Sequence, residues 1–201
     1  LTVDAGDTAT INSALLGAGT SVSKNGLGKL VLTGDNQFTG TALVNEGILN
    51  VQRSNGLGVT TSGTTVRQGA TLELQETSFG PVSIGLEALT LEGNGFNGTG
   101  AIRSAGGMTS FAGAITQAGV TTNLLTEFDG FPFTTATAFA SSTVSYGAAA
   151  GSTLRLTGAI GTDAEFIKVG AGTVELGGIQ ANTFNSFVRI LEGTLLLNKE
   201  P

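Results

Sequence analysis

The sequence predicts an all-β chain wound as a right-handed, single-stranded parallel β-helix of about nine coils. Three observations carry this expectation. The 201 residues include 32 Gly but only 3 Pro, and few stretches run long enough without Gly or Thr to form a helix. Apolar and polar residues alternate over short segments, as in Lys29-Leu30-Val31-Leu32-Thr33, which is the pattern of a strand with one buried side. Strand-and-corner units also recur roughly every 20 to 25 residues, the length of a solenoid coil. A sandwich or a closed barrel does not need that regularity. Stacking strands about 4.8 Å apart does, and nine coils would extend on the order of 45 Å.

The clearest unit is Lys24 to Val51, KNGLGKLVLTGDNQFTGTALVNEGILNV, and it returns as Lys168 to Leu197. Gly26, Gly28, Leu30, Leu32 and Gly34 have partners Gly170, Gly172, Val174, Leu176 and Gly178, each 144 residues later. Beyond that turn the offset becomes 146: Phe38, Val44, Gly47, Leu49 and Val51 meet Phe184, Ile190, Gly193, Leu195 and Leu197. Two residues have therefore entered the turn, where insertions are tolerated. The chain reads as one β-helix segment over residues 1–201, holding one long period and the start of a second.

The remaining elements follow the same logic. Leu1 to Ser23 forms short strands separated by Gly6, Gly17 and Gly19. Thr64 to Leu74 repeats the closing half of the unit, with Val66, Gly69, Leu72 and Leu74 in its key positions. In Leu86 to Gly93 the alternation places Leu89 and Leu91 inward, and Glu87 and Glu92 are read as outward. Gly95 to Gly107 is glycine-rich, and Phe111 to Ile115 is a further strand. Residues 121–145 lose the pattern and are expected to be irregular. Asn36, Asn45, Asn94 and Asn182 fall at corners, where a side-chain amide can stack or bond the backbone.

Composition excludes several chemistries. There is no Cys and no His, so no disulfide, thiolate site or Ser-His-Asp triad can be built. The net charge of −6 and the lack of a cationic cluster argue against nucleic acid. Lys24 and Lys29 are the densest pair and are read as solvated. The carboxylate pairs Asp4/Asp7, Glu73/Glu76, Glu127/Asp129 and Asp163/Glu165 are the only candidates for acid–base work, but acids in loops usually serve solvation. No metal-binding frame appears. The expectation is a chain without catalytic, cofactor or metal residues and without a small-molecule substrate, so not an enzyme.

The pattern K-x-G-x-G-x-L-x-L-x-G-x-N-x-F-x-G followed by V-x-x-G-x-L-x-V resembles the autotransporter-associated β-strand repeat, or passenger-associated transport repeat. Lys24 to Val51 carries it fully. Lys168 to Leu197 departs in having Asn185 after Phe184 and in its two-residue insertion. The resemblance implies a β-helical segment of a longer type V secretion passenger, displayed outside the cell as a stalk. It implies an outer-membrane β-barrel translocator as partner in the full-length protein and supplies no catalytic residues to transfer. Lack of cysteine suits export through an oxidising periplasm. Self-association through solenoid ends or sides, a host-surface or glycan ligand, and a glycan-active enzyme are the other readings.

Overall fold

The computed structural model describes residues 1–59, 62–118, 143–161 and 164–200. Its strands follow one another around a three-faced coil. β1 (Thr8–Ile11) and β2 (Leu16–Gly17) open it. Then come β3 (Val22–Lys24), β4 (Lys29–Leu32), β5 (Gln37–Phe38), β6 (Ala42–Val44) and β7 (Gly47–Val51). β8 (Thr64–Val66), β9 (Ala70–Gln75) and β10 (Val82–Ile84) make the next turn, and β11 (Leu89–Leu91), β12 (Ile102–Gly106) and β13 (Met108–Phe111) the one after. β14 (Ile115–Gln117), β15 (Thr143–Ala148), β16 (Thr153–Leu156), β17 (Ile160–Gly161), β18 (Glu165–Val169) and β19 (Thr173–Gly178) continue it, and β20 (Val188–Ile190) and β21 (Thr194–Lys199) end it.

All named strands pair in parallel, each with the strand one turn away. The long sheet is β1-β4-β7-β9-β12-β15-β18-β20. The second sheet is β10-β13-β16-β19-β21, preceded on its side by the pair β2-β5, and the third is β3-β6-β8-β11-β14-β17. This is an all-β parallel solenoid. The eight rungs of the long sheet bound about seven turns, fewer than the nine expected. The reason lies in the register. Leu49 to Leu72 is an ordinary 23-residue step, but Leu72 to Ile102 takes 30 and Ile102 to Tyr146 takes 44. Chain spent on those two excursions is not available for coils, so the stack rises about 34 Å.

Parallel stacking places like positions above one another, and the core is a set of inward columns. On the long sheet one column runs Ala9, Leu30, Leu49, Leu72, Ile102, Tyr146, Lys168, Ile190. On the second sheet Ile84, Phe111, Leu156, Leu176 and Leu197 stack. On the third, Lys24, Val44, Val66, Leu91 and Gln117 do. Burying these aliphatics supplies the main driving force, about 1.5 to 3 kcal/mol for each fully buried side chain. Aromatics strengthen one end, where Tyr146 stacks on Phe166 with ring centroids 4.1 Å apart and Phe166 faces Phe184 at 5.8 Å.

Corner asparagines bind across turns. The Asn36 Oδ1 accepts the Leu15 N–H at 2.9 Å while its Nδ2 donates to the Gly56 carbonyl at 2.7 Å, and the Asn182 Oδ1 accepts the Ile160 N–H at 3.0 Å. Asn45 instead donates to Asn25 Oδ1 and Ser23 Oγ, and Asn94 accepts from Thr143 and Ser145. Of the stretch expected to be irregular, 121–142 lies outside the described residues, and Thr143–Ser145 begin β15.

Candidate functional site

The residues shared by the two sequence units converge on one structure. Lys24 is the last residue of β3 and shares the inward parity of Val22, so its side chain enters the core, where it is fully buried. Its Nζ then turns toward the corner and donates to three backbone carbonyls: Gly26 at 2.6 Å, Asn25 at 3.0 Å and, from the next turn, Glu46 at 3.1 Å. Lys168 repeats this on Gly170 at 2.5 Å, Val169 at 2.8 Å and Glu192 at 3.0 Å. A buried ammonium is tolerated only when its donors are all matched, and the corner provides three acceptors. Burial lowers the pKa of both lysines below the ordinary lysine value, with Glu46 and Glu192 pulling the other way.

The glycines complete the cup. Gly47 has φ +64, and a Cβ there would stand 2.4 Å from the Gly28 carbonyl oxygen. Gly193 has φ +72, and its Cβ would stand 2.8 Å from the Lys168 Nζ. Only glycine meets both requirements, the left-handed backbone and the close approach. The first corner is locked further by Glu46, whose Oε2 accepts the Gly26 N–H at 2.8 Å.

Among protein families, the passenger-associated-transport-repeat matches the chain at residues 22–51 and 166–197. The chain carries two passenger-associated transport repeats. They fit a segment of an autotransporter passenger, and together they span under a third of the sequence. No curated protein and no solved structure matches this chain. Each repeat covers more than one turn, since residues 22–51 contain β3 to β7.

The two repeats do not occupy equivalent faces. In the first, Lys24 lies on the third sheet and the following Leu30 and Leu32 on the long sheet. In the second, Lys168 lies on the long sheet and Val174 and Leu176 on the second sheet. Five turns lead from β3 to β17, and β18 is one face further. The 144-residue offset is thus five turns plus a third, and the repeat is a corner device that works at two different corners of the coil.

Lys24 is therefore not solvated, which corrects the sequence reading. The signal was present: Val22-Ser23-Lys24 puts the lysine in phase with an inward valine, two positions before the first glycine of G-x-G. Glu87 is a second correction. It is buried rather than outward, accepts a hydrogen bond from the Thr64 hydroxyl, and burial pushes its pKa up to about 7, partly offset by that bond. Its parity with Leu89 and Leu91 was again the missed clue.

The carboxylate pairs disperse into structural contacts. Glu73 is buried on the outer side of the long sheet, binding Lys29 at 2.5 Å, Asn50 at 2.7 Å and Arg103 at 3.3 Å. Glu76 turns to the Met108 N–H at 2.7 Å instead of joining it. Glu165 pairs with Arg189 at 3.4 Å, while Asp4 and Asp7 are exposed. Glu127, Asp129 and Asp163 lie outside the described residues. Among the described residues no group of three acids is placed to hold a metal ion.

Of the repeat positions, Leu30, Leu32, Phe38, Val44, Leu49, Val51, Val174 and Leu176 are buried. Phe184 and Leu195 are half-buried, and Ile190 and Leu197 are exposed at the free edge of β20 and β21. A groove of about 470 Å³ opens on the outer side of the long sheet, lined by Thr99, Arg103, Ala148, Val169, Leu191 and Glu192 among others.

Proposed function

We propose that this chain is a non-enzymatic scaffold: a β-solenoid segment of a passenger that reaches the cell surface with an outer-membrane β-barrel translocator, serves there as stalk, and aids export through its own folding. The observation that supports this most directly is the continuous parallel pairing from β1 to β20, with a repeat of the passenger-transport type at each end. Each turn pairs its backbone with the turns on either side, so a formed turn is a template for the one that follows it through the membrane. Of the acids that sequence reading offered for catalysis, Glu73, Glu76 and Glu165 are engaged in cross-turn bonds.

The test is surface display. The chain is fused to an outer-membrane barrel, and exposure is read by protease accessibility on intact cells. Leu30→Asp and Val174→Asp, each placing an unpaired charge in a core column, are expected to reduce display severalfold, whereas Leu16→Asp, on an exposed side chain, leaves it unchanged. Equal display of all variants would overturn the scaffold reading.

A further inference from the structure

The two repeats share their interior but differ on the outside of the corner. In the first, Asn25 and Asn45 face solvent and bond each other, Nδ2 to Oδ1 at 2.7 Å, while Glu46 is tied to the Gly26 N–H. At the same two positions the second has Val169 and Leu191, the latter 60% exposed, and Glu192, whose neighbour is the buried Lys168 ammonium. The main chain is the same in both: the Leu191 N–H donates to the Lys168 carbonyl at 2.9 Å as the Asn45 N–H does to Lys24 at 2.9 Å. Folding therefore does not require the aliphatic pair.

That pair floors the groove described above. Gly147 lies between Arg103 and Val169 in register, and a Cβ there would stand 2.1 Å from the Thr99 carbonyl oxygen. Because it has none, the backbone around Thr99 settles onto the sheet and walls one end. Arg103 lines the groove, and Glu192 does so beside Leu191. A volume near 470 Å³ falls within the usual range for small-ligand sites. Each charge at its margin is already countered within the protein, Arg103 by Glu73 and Glu192 by Lys168.

We infer that the groove at the second repeat binds a neutral saccharide unit. A pyranose ring offers one C–H face, matched by Val169 and Leu191, and hydroxyls at its edge that both donate and accept. The Glu192 carboxylate accepts from such hydroxyls, and the Arg103 guanidinium, bound to Glu73 through Nε, has its other N–H groups to donate. An acidic or basic ligand would leave its own charge unmatched here. Among the described residues no aromatic side chain contributes to the floor, so the affinity is weak and gains from repeated contacts along a glycan. This site goes beyond the scaffold reading, and surface display does not depend on it.

The experiment applies the whole chain to arrays of neutral hexose and N-acetylhexosamine oligosaccharides, uronate and sulfated glycans, and apolar peptides. Binding to a neutral glycan is expected. Leu191→Asn, which installs the first repeat's residue, and Glu192→Gln should each weaken it about tenfold, with the circular dichroism spectrum retained because both side chains are exposed. Binding that the two variants leave unchanged, binding confined to acidic glycans or to peptides, or no binding to any neutral glycan would each overturn the assignment.

Discussion

Glu87 shows how one residue at the wrong parity for its charge becomes a titrating group inside a wall of aliphatics. Its pKa of about 7, against an ordinary value near 4.5, means that the folded chain holds a proton the unfolded chain has already lost. Between these two values folding takes up a proton, so stability is greatest at low pH and falls as pH rises toward 7. The loss amounts to roughly 3 kcal/mol at most. Urea unfolding at pH 5 and pH 8 is expected to show a lower midpoint at pH 8, and Glu87→Gln should abolish the part of that difference due to this site. A pH dependence identical in the variant would remove Glu87 as its source. Thr64 is the natural partner, since its hydroxyl occupies an inward position between Ala42 and Leu89 and finds its acceptor in Glu87. Tyr146 is the opposite case: burial raises its phenol pKa, a hydrogen bond with Gln117 offsets part of this, and it stays neutral at any ordinary pH.

At the scale of the element, the corner built by Lys, G-x-G and E-G is the repeat's physical content. Strands and corners were legible because period-two alternation and glycine spacing are local signals. The corner's interior was not, because a lysine next to glycines is read as solvated until its parity with Val22 is weighed. The slip of one face was also illegible: a 144-residue offset records chain length, whereas the face occupied depends on which strands pair across the 30- and 44-residue steps. The same steps account for the missing coils. If the two corners are one device, they should answer alike to the same lesion. Lys24→Met and Lys168→Met keep an unbranched apolar stem but remove the ammonium that donates to three carbonyls, a loss of about 3 kcal/mol. Equilibrium unfolding in urea should give similar costs for both, although the lysines sit on different sheets. A Lys24→Met chain as stable as the parent would show that the ammonium contributes little. Lys29, read from the sequence as solvated, bonds the buried Glu73, which makes it a poor neutral control. The exposed Leu16 serves better.

Across the whole molecule, the two ends of the stack differ in what they leave open. At the first turn β1 also has a free edge, but Val3 is buried, Thr2 pairs in parallel with Asn25, and Ala9, Ile11 and Leu15 are half-buried against the core. At the last, β20 and β21 each have a free edge, and Val188, Ile190 and Leu197 stand 46%, 53% and 72% exposed at the ends of core columns. A solenoid gains stability from interfaces between turns, so a rung with one such interface is both the weakest in the stack and the most receptive. As an isolated segment, the chain is therefore expected to associate reversibly as its concentration rises, with the contact at β20 and β21. Sedimentation velocity across a hundredfold concentration range measures this directly. Ile190→Lys together with Leu197→Glu places opposite charges at the free edge, and on meeting an apolar partner both would lose their hydration. The double variant should remain monomeric where the parent associates, while its circular dichroism keeps the β signature of the earlier turns. Association that persists in the double variant would place the contact elsewhere on the solenoid, and a parent that stays monomeric throughout would mean the apolar edge is too small to hold a second copy.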